Sequence, residues 1–273
     1  MTRIINFSGF FDYKDPNYVS EMFSIQHFIY IFISIILLIT LPILLRKVSH
    51  KKIDKYLKFL AIFIPCLELT KIIWESIYYY QETKSFMFES LLPLYLCSLF
   101  IYVLPIIVLN KKKPRKYCLS FLTTIGIIAG LSNVFYLNIL NVYPLFSFAS
   151  FISIIFHFLM AFTGIWLLTS KYYILDKKSP LEGLLIVFLF SLIVIPVNYL
   201  LNYLGYNPDY MLLLHGYGIP FFQEISNFLR SYHLDIIFII LVFLVYLGVG
   251  YLVFFVNNLI KKIILYKEKN KSN

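Results

Sequence analysis

The two side chains best suited to covalent chemistry are a cysteine and a histidine, each inside a long apolar segment. Cys97 ends the string Leu-Pro-Leu-Tyr-Leu-Cys that begins at Leu92, and His157 lies in a later apolar segment. At 1.5 Å per helical residue, we expect Cys97 about 12 Å and His157 about 17 Å below the outer ends of their helices, close enough for contact. An imidazole within hydrogen-bond reach activates a thiol as a nucleophile. The residues alone leave two simpler interpretations open: a cysteine that serves as a small apolar residue, and a histidine that bonds a neighbouring helix.

Three ionisable residues share an earlier apolar segment. Glu68, Lys71 and Glu75 are spaced i, i+3 and i+7, which places them within about 60° of one face of a helix. Each charged side chain costs a few kcal/mol of free energy at bilayer depth, so it is expected to have a pairing partner or a functional role. Two roles stay open: a self-neutralising stripe that turns this helix toward the bundle, or the wall of a polar cavity.

Motifs for other chemistries do not occur in the sequence. Cys66, Cys97 and Cys118 form no C-x-x-C pair, so neither a zinc site nor a disulfide framework is indicated. The sequence has no H-E-x-x-H, no G-x-S-x-G and no Walker-type glycine loop. We therefore expect no metal and no soluble cofactor. Gly130 and its neighbours are interpreted as small residues that allow close helix packing.

The composition indicates the elements that hold these residues. Of the 273 residues 60% are hydrophobic and only 14% are charged, which excludes an ordinary soluble fold. We predict an all-α, polytopic membrane helix bundle with seven transmembrane helices. The predicted spans are 26–45, 58–79, 90–109, 118–138, 146–169, 181–203 and 236–260. The chain then divides into an extracellular segment 1–25, a transmembrane domain 26–260 and a basic cytoplasmic tail 261–273.

The basic residues predict the orientation. The net charge is +10, but the lysines cluster between apolar segments without a nucleic-acid-binding motif, so no nucleic-acid partner is expected. Nineteen of the 24 Lys and Arg residues fall on one side of a seven-span arrangement, which predicts an outside N-terminus and a cytoplasmic C-terminus. The first apolar segment lacks a basic flank before it and is expected to be retained. The oligomeric state stays open.

The segment that ends at Cys97 also carries a family resemblance. The chain resembles the YwaF-type integral membrane proteins, a mostly bacterial group that includes an animal transmembrane acyltransferase acting on ether phospholipids. The family signature is L-P-L-H-x-C-D at the third helix, a histidine in the fifth, and P-x-N followed by G-x-N-Y-M at the end of the sixth. The matching residues here are Leu92, Pro93, Leu94, Cys97, His157, Pro196, Asn198, Gly205, Asn207, Tyr210 and Met211, with Pro208 and Asp209 interposed. Tyr95 and Ser98 stand where the family has histidine and aspartate.

The resemblance implies a cysteine-dependent lipid acyltransferase in which Cys97 accepts the acyl group and His157 is its base. Membrane phospholipids are then the expected substrates. Tyr95, Asn133 and Asn198 are candidates for orienting the imidazole or stabilising the oxyanion. Glu68, Lys71 and Glu75 are candidate residues for receiving the head group.

Two other functions stay open at this point. A small-solute transporter could conduct along Glu68, Lys71, Glu75 and Asn198, although no internal repeat supports it. A non-catalytic family member would have lost the family histidine and aspartate at positions 95 and 98. In each case we expect a multi-pass protein of the cell membrane, and the Lys, Ile, Asn, Tyr and Phe bias suggests a bacterial one.

Overall fold

The computed structural model describes residues 9–11, 19–84, 91–216 and 219–271, and those residues form helices joined by short connections, without a strand. Side chains from 264 onward are not described. Within these described residues the α-helices are α1 (Ile25–Leu44), α2 (His50–Thr83), α3 (Leu99–Leu109), α4 (Lys113–Thr123), α5 (Ile125–Phe135), α6 (Phe148–Thr169), α7 (Ser179–Tyr203), α8 (Pro220–Ser231) and α9 (Asp235–Lys271). Most of the predicted segment 1–25 and part of the tail 261–273 lie outside this description.

In the part of the chain that the structure describes, five helical segments are long and apolar enough to cross a membrane, which confirms an all-helical, multi-pass membrane protein. They are Ile25–Lys47, Lys113–Asn141, Phe148–Thr169, Ser179–Tyr203 and Asp235–Ile263. The other two predicted spans, which correspond to α2 and α3, do not meet both criteria, and each fails for a different reason. Helix α2 has ample length but carries Glu68, Lys71 and Glu75 in its apolar part, whereas α3 is apolar but only 11 residues long. Seven crossings therefore stay a prediction.

The third predicted span, 90–109, is helical only in its second half. Residues 92–98 are non-helical, with a turn at 96–98, and α3 begins at Leu99. Pro93 accounts for the break at residue 92, because proline lacks an N–H and disfavours helical geometry at the residue before it. Cys97 therefore lies in a turn at the start of a helix, not within one as the sequence suggested.

The fourth span is divided between α4 and α5 at Thr124. This residue leaves helical geometry, with φ −123° and ψ −93°. The hydroxyls of Thr123 and Thr124 both donate to carbonyls one turn earlier, at 2.7 Å to Leu119 and 2.6 Å to Ser120. Such back-bonding competes with the helical ladder and bends helices.

The connections of the bundle gather at two ends. At one end, Arg115 at the start of α4 donates to Asp54 at the start of α2 over 2.9 Å, and Tyr172 between α6 and α7 donates to the same carboxylate over 2.5 Å. Lys116 pairs with Glu182 at 2.6 Å. We call this the basic end, because the predicted cytoplasmic loops meet there. At the opposite end, the ring of Tyr95 packs against that of Tyr210, with centroids 5.1 Å apart.

Helices α5 and α6 approach especially closely, as the small residues around Gly130 suggested. A Cβ at Gly130 would lie 2.7 Å from the carbonyl oxygen of His157 and 2.7 Å from the amide nitrogen of Ala161. Only glycine permits that backbone separation. The contact fixes the height of His157 relative to α5.

Candidate active site

Lys71 lies at the centre of the ionisable stripe on α2. Its Nζ is 3.3 Å from Glu68 Oε1, and it also interacts electrostatically with Glu75. The side chain of Glu68 is only 12% exposed, and Glu75 is buried. The stripe therefore faces the protein interior, as both interpretations of the sequence require.

Cys97 lies against this stripe. Its thiol interacts electrostatically with Glu68 and Lys71, and its sulfur accepts hydrogen bonds from the amides of Cys97 and Ser98. The Ser98 amide also donates to the Tyr95 carbonyl over 3.0 Å, so it is shared between that oxygen and the sulfur in the turn that precedes α3. N–H groups at a helix start attract negative charge, so the turn supplies donors to an anion that forms there.

His157 is held on α6 through one ring nitrogen. Nδ1 lies 2.8 Å from the carbonyl oxygen of Ser153 and, because a carbonyl only accepts, Nδ1 carries the proton. The neutral ring then has its lone pair on Nε2, the atom that a general base uses. The Ser153 hydroxyl lies 3.5 Å from both His157 Nδ1 and Asn133 Oδ1. Asn133 is therefore linked to the imidazole only through Ser153.

Two observations bring Cys97 and His157 to one region. Lys71 interacts electrostatically with both of them. In addition, Phe100, three residues after Cys97, packs edge-on against Phe156, the neighbour of His157, with ring centroids 5.8 Å apart. Cys97 lies twelve residues before the last residue of α3 and His157 twelve before the last residue of α6, and both helices end at the basic end.

Asn198 positions the loop beside this region. Its amide nitrogen donates to the Tyr210 carbonyl and its oxygen accepts from the Tyr210 amide, both at 3.0 Å. Asn198 is fully buried, and both of its polar atoms are used by the loop. It acts on the site through Tyr210, whose ring contacts that of Tyr95. Tyr95 itself is 47% exposed.

Tyr246 on α9 is a candidate site residue that the sequence analysis missed. Its hydroxyl donates to the Met211 carbonyl over 2.5 Å, and it interacts electrostatically with Cys97. A tyrosine in the middle of an apolar span needs a partner for its hydroxyl, and that need was the available signal.

The loop bound by Asn198 and Tyr246 has a strained backbone. Met211 and Leu212 adopt positive φ values of 60° and 57°, which are uncommon for residues with a side chain. Met211 is nevertheless buried. Each such residue costs about 1–2 kcal/mol, and strain of this kind persists where the surroundings determine the conformation.

Within the described ranges, no group of three or more His, Cys, Asp and Glu side chains is placed to hold a metal ion. The Cys97 thiol and the His157 imidazole each interact electrostatically with Lys71, and the thiol also accepts from two backbone amides.

Comparison with known proteins gives one family. The model of the TMEM164 family matches residues 22–251, which covers the bundle from the start of α1 into α9. No curated protein and no solved structure matches the chain.

Proposed function

The chain belongs to the TMEM164 family of membrane proteins, and on that premise we propose that it is a membrane-embedded, cysteine-dependent lipid acyltransferase. The observation that carries the proposal is the position of Lys71 within electrostatic range of both Cys97 and His157. The motif resemblance to the YwaF-type proteins, with an ether-phospholipid acyltransferase among them, points to the same pair. The cell membrane is the proposed location.

The first half-reaction transfers an acyl group to the protein. His157 Nε2 takes the proton of the Cys97 thiol, and the thiolate attacks the ester carbonyl carbon of a phospholipid. The amides of Cys97 and Ser98, together with Lys71, supply positive potential where negative charge develops. The carbon–oxygen bond breaks, the lysophospholipid oxygen takes the proton from His157, and a thioester remains on Cys97.

The second half-reaction returns the protein to its starting state. A hydroxyl of an acceptor lysolipid gives its proton to His157 and attacks the thioester. The carbon–sulfur bond breaks, the acyl chain leaves on the acceptor, and the thiol of Cys97 regains the proton. A lipid substrate enters such a site sideways from the bilayer, and no soluble cofactor takes part.

The proposal is tested by labelling purified protein in proteoliposomes with a long-chain, alkyne-tagged chloroacetamide. We expect the label on Cys97 and its loss in Cys97→Ser, with the exposed Cys66 changed to serine as the matched control. His157→Gln should slow labelling by about 10²-fold or more, the usual contribution of a general base. A transporter or a non-catalytic member predicts equal labelling rates in the wild type and in His157→Gln.

Turnover gives the second measurement. Transfer of a labelled acyl chain from a diacyl phospholipid to a lysophospholipid should occur with the wild type and Cys66→Ser, and should be lost in Cys97→Ser. Transfer that persists in Cys97→Ser would overturn the assignment of the nucleophile.

A further inference from the structure

A small cleft opens at the basic end of the bundle, at a distance from Cys97. It has a volume of about 170 Å³ and lies between the start of α2, the end of α3 and the start of α4. Lys58 on its wall is ten residues before Glu68 on the same helix, so the cleft lies about 15 Å from the Cys97 region. The proposed acyl transfer does not use it.

The polar wall of the cleft is dominated by positive charge. It consists of Lys58, Lys111 and Arg115 with one carboxylate, Asp54. Burial raises the pKa of Asp54, but hydrogen bonds from Tyr172 and Arg115 and the nearby cations outweigh that effect, so the pKa lies below its ordinary value. Asp54 is therefore ionised at neutral pH, and three cations against one anion leave a net positive cleft.

The two lysines are available to a ligand. Among the described residues, neither Lys58 nor Lys111 forms an ion pair, and both are exposed. Arg115 uses one terminal nitrogen on Asp54 and Tyr172, whereas a guanidinium has five N–H donors. The pair with Asp54 fixes the arginine in place and leaves donors that face the cleft.

The remaining wall is apolar. Leu57, Ile107 and Val108 line the cleft, and Leu57 and Ile107 belong to the buried core. Charge beside an apolar surface, at the end of the bundle where the predicted cytoplasmic loops meet, matches a phospholipid, whose phosphate adjoins its hydrocarbon chains. Basic pockets between transmembrane helices recognise anionic head groups in this way.

We propose that this cleft binds the phosphate of an anionic phospholipid, with Lys58, Lys111 and Arg115 as its ligands. The lipid would hold α2, α3 and α4 together at the basic end. The same phosphate chemistry is offered by inorganic phosphate from solution, and the experiment separates the two sources.

The test uses the full chain, purified in a neutral detergent, with thermal unfolding and native mass spectrometry as readouts. We expect phosphatidylglycerol to raise the unfolding midpoint and to remain bound, while phosphatidylcholine at equal concentration has a smaller effect. In Lys58→Gln/Lys111→Gln the dissociation constant for phosphatidylglycerol should rise about tenfold or more, since each basic residue at the membrane surface contributes on the order of 1 kcal/mol.

The matched control is Lys52→Gln/Lys112→Gln, which removes the same charge from exposed neighbours outside the cleft. It should change the dissociation constant less than about twofold, because the charge it removes does not line the cleft. Equal weakening by both double variants would overturn the proposal, because binding would then follow the general surface potential. Protection by inorganic phosphate that is lost in Lys58→Gln/Lys111→Gln would support the same ligands with a soluble source, and protection by the lipid alone supports the membrane.

Discussion

His157 is oriented by its own helix, because its Nδ1 donates to the Ser153 carbonyl one turn earlier. A ring held in this way carries its proton on Nδ1 and leaves the lone pair on Nε2. The position of the ring then depends on how closely α6 packs against α5, and Gly130 controls that packing through its contact with the His157 carbonyl.

Gly130→Ala should therefore damage the site through the backbone. Its Cβ would lie 2.7 Å from the His157 oxygen, so α5 and α6 must separate. Overpacking of this kind costs about 1–3 kcal/mol. We expect a lower unfolding midpoint together with slower labelling of Cys97. Gly248→Ala is the control, since a Cβ there meets nothing within 4 Å, and it should leave both readouts unchanged.

His215, in the connection between α7 and α8, predicts a pH-dependent stability. Desolvation and the charge of Arg230 lower the pKa of this imidazole, while Asp209 and Asp235 oppose the change. Arg230 donates to Nδ1, which requires the neutral ring. A histidine with a lowered pKa binds its proton more readily in the unfolded chain, so stability is complete above about pH 6.5 and declines below it.

The measurement is the unfolding midpoint between pH 5.5 and 7.5. We expect the wild type to lose stability as the pH falls, and His215→Asn to have a flatter profile. His233→Asn, at an exposed histidine nearby, should keep the wild-type slope. An unchanged slope in His215→Asn would show that another group is responsible.

At the scale of the elements, the features that could be predicted were those that depend on residues close together in the sequence. The spacing of Glu68, Lys71 and Glu75 placed them on one inward face, and α2 carries them there. The start of α3 was not predicted, because residues 91–109 are almost uniformly apolar and only Pro93 marked the interruption. Asn198 and Tyr246 bond backbone atoms of a loop that lies 12 and 35 residues away, and no local pattern encodes such partners.

Variants of the stripe on α2 can separate the effect of its charges on folding from their effect on lipid turnover. Lys71→Met removes the cation between two carboxylates inside the bundle, and uncompensated charge there is costly. We expect a large loss of folded protein, with much of it restored when Glu68→Gln and Glu75→Gln are added. Folded yield by size-exclusion chromatography in detergent measures this effect.

Lipid turnover by the triple variant then decides what the stripe does. Loss of turnover in a folded triple variant supports a functional role for the stripe as a whole, since all three of its charged residues are changed. Full turnover would assign the three residues to the orientation of α2 alone.

At the scale of the whole molecule, the bundle has two chemically different regions. One region is the interior of the bundle, with Cys97, His157 and the α2 stripe. The loop that carries Tyr210 and Met211 lies beside it. The basic end gathers the connections that hold Asp54, Arg115, Lys116 and Tyr172. Because these basic connections contact one another, they lie on the same side of the membrane whatever that side is.

The orientation itself is the last prediction. Since cytoplasmic loops retain Lys and Arg, the basic end should face the cytoplasm and the connection after α2 should face outward. Single cysteines at Lys84, which ends α2, and at Lys112, which precedes α4, report the two ends. In sealed, right-side-out vesicles a membrane-impermeant maleimide should modify Lys84→Cys at once and Lys112→Cys only after permeabilisation. Labelling of the parent protein, which keeps the native cysteines, is subtracted as the background. Modification of both from outside would mean that the segment between them, which contains α3, does not cross the membrane, and the phospholipid cleft would then have to be placed in the outer leaflet.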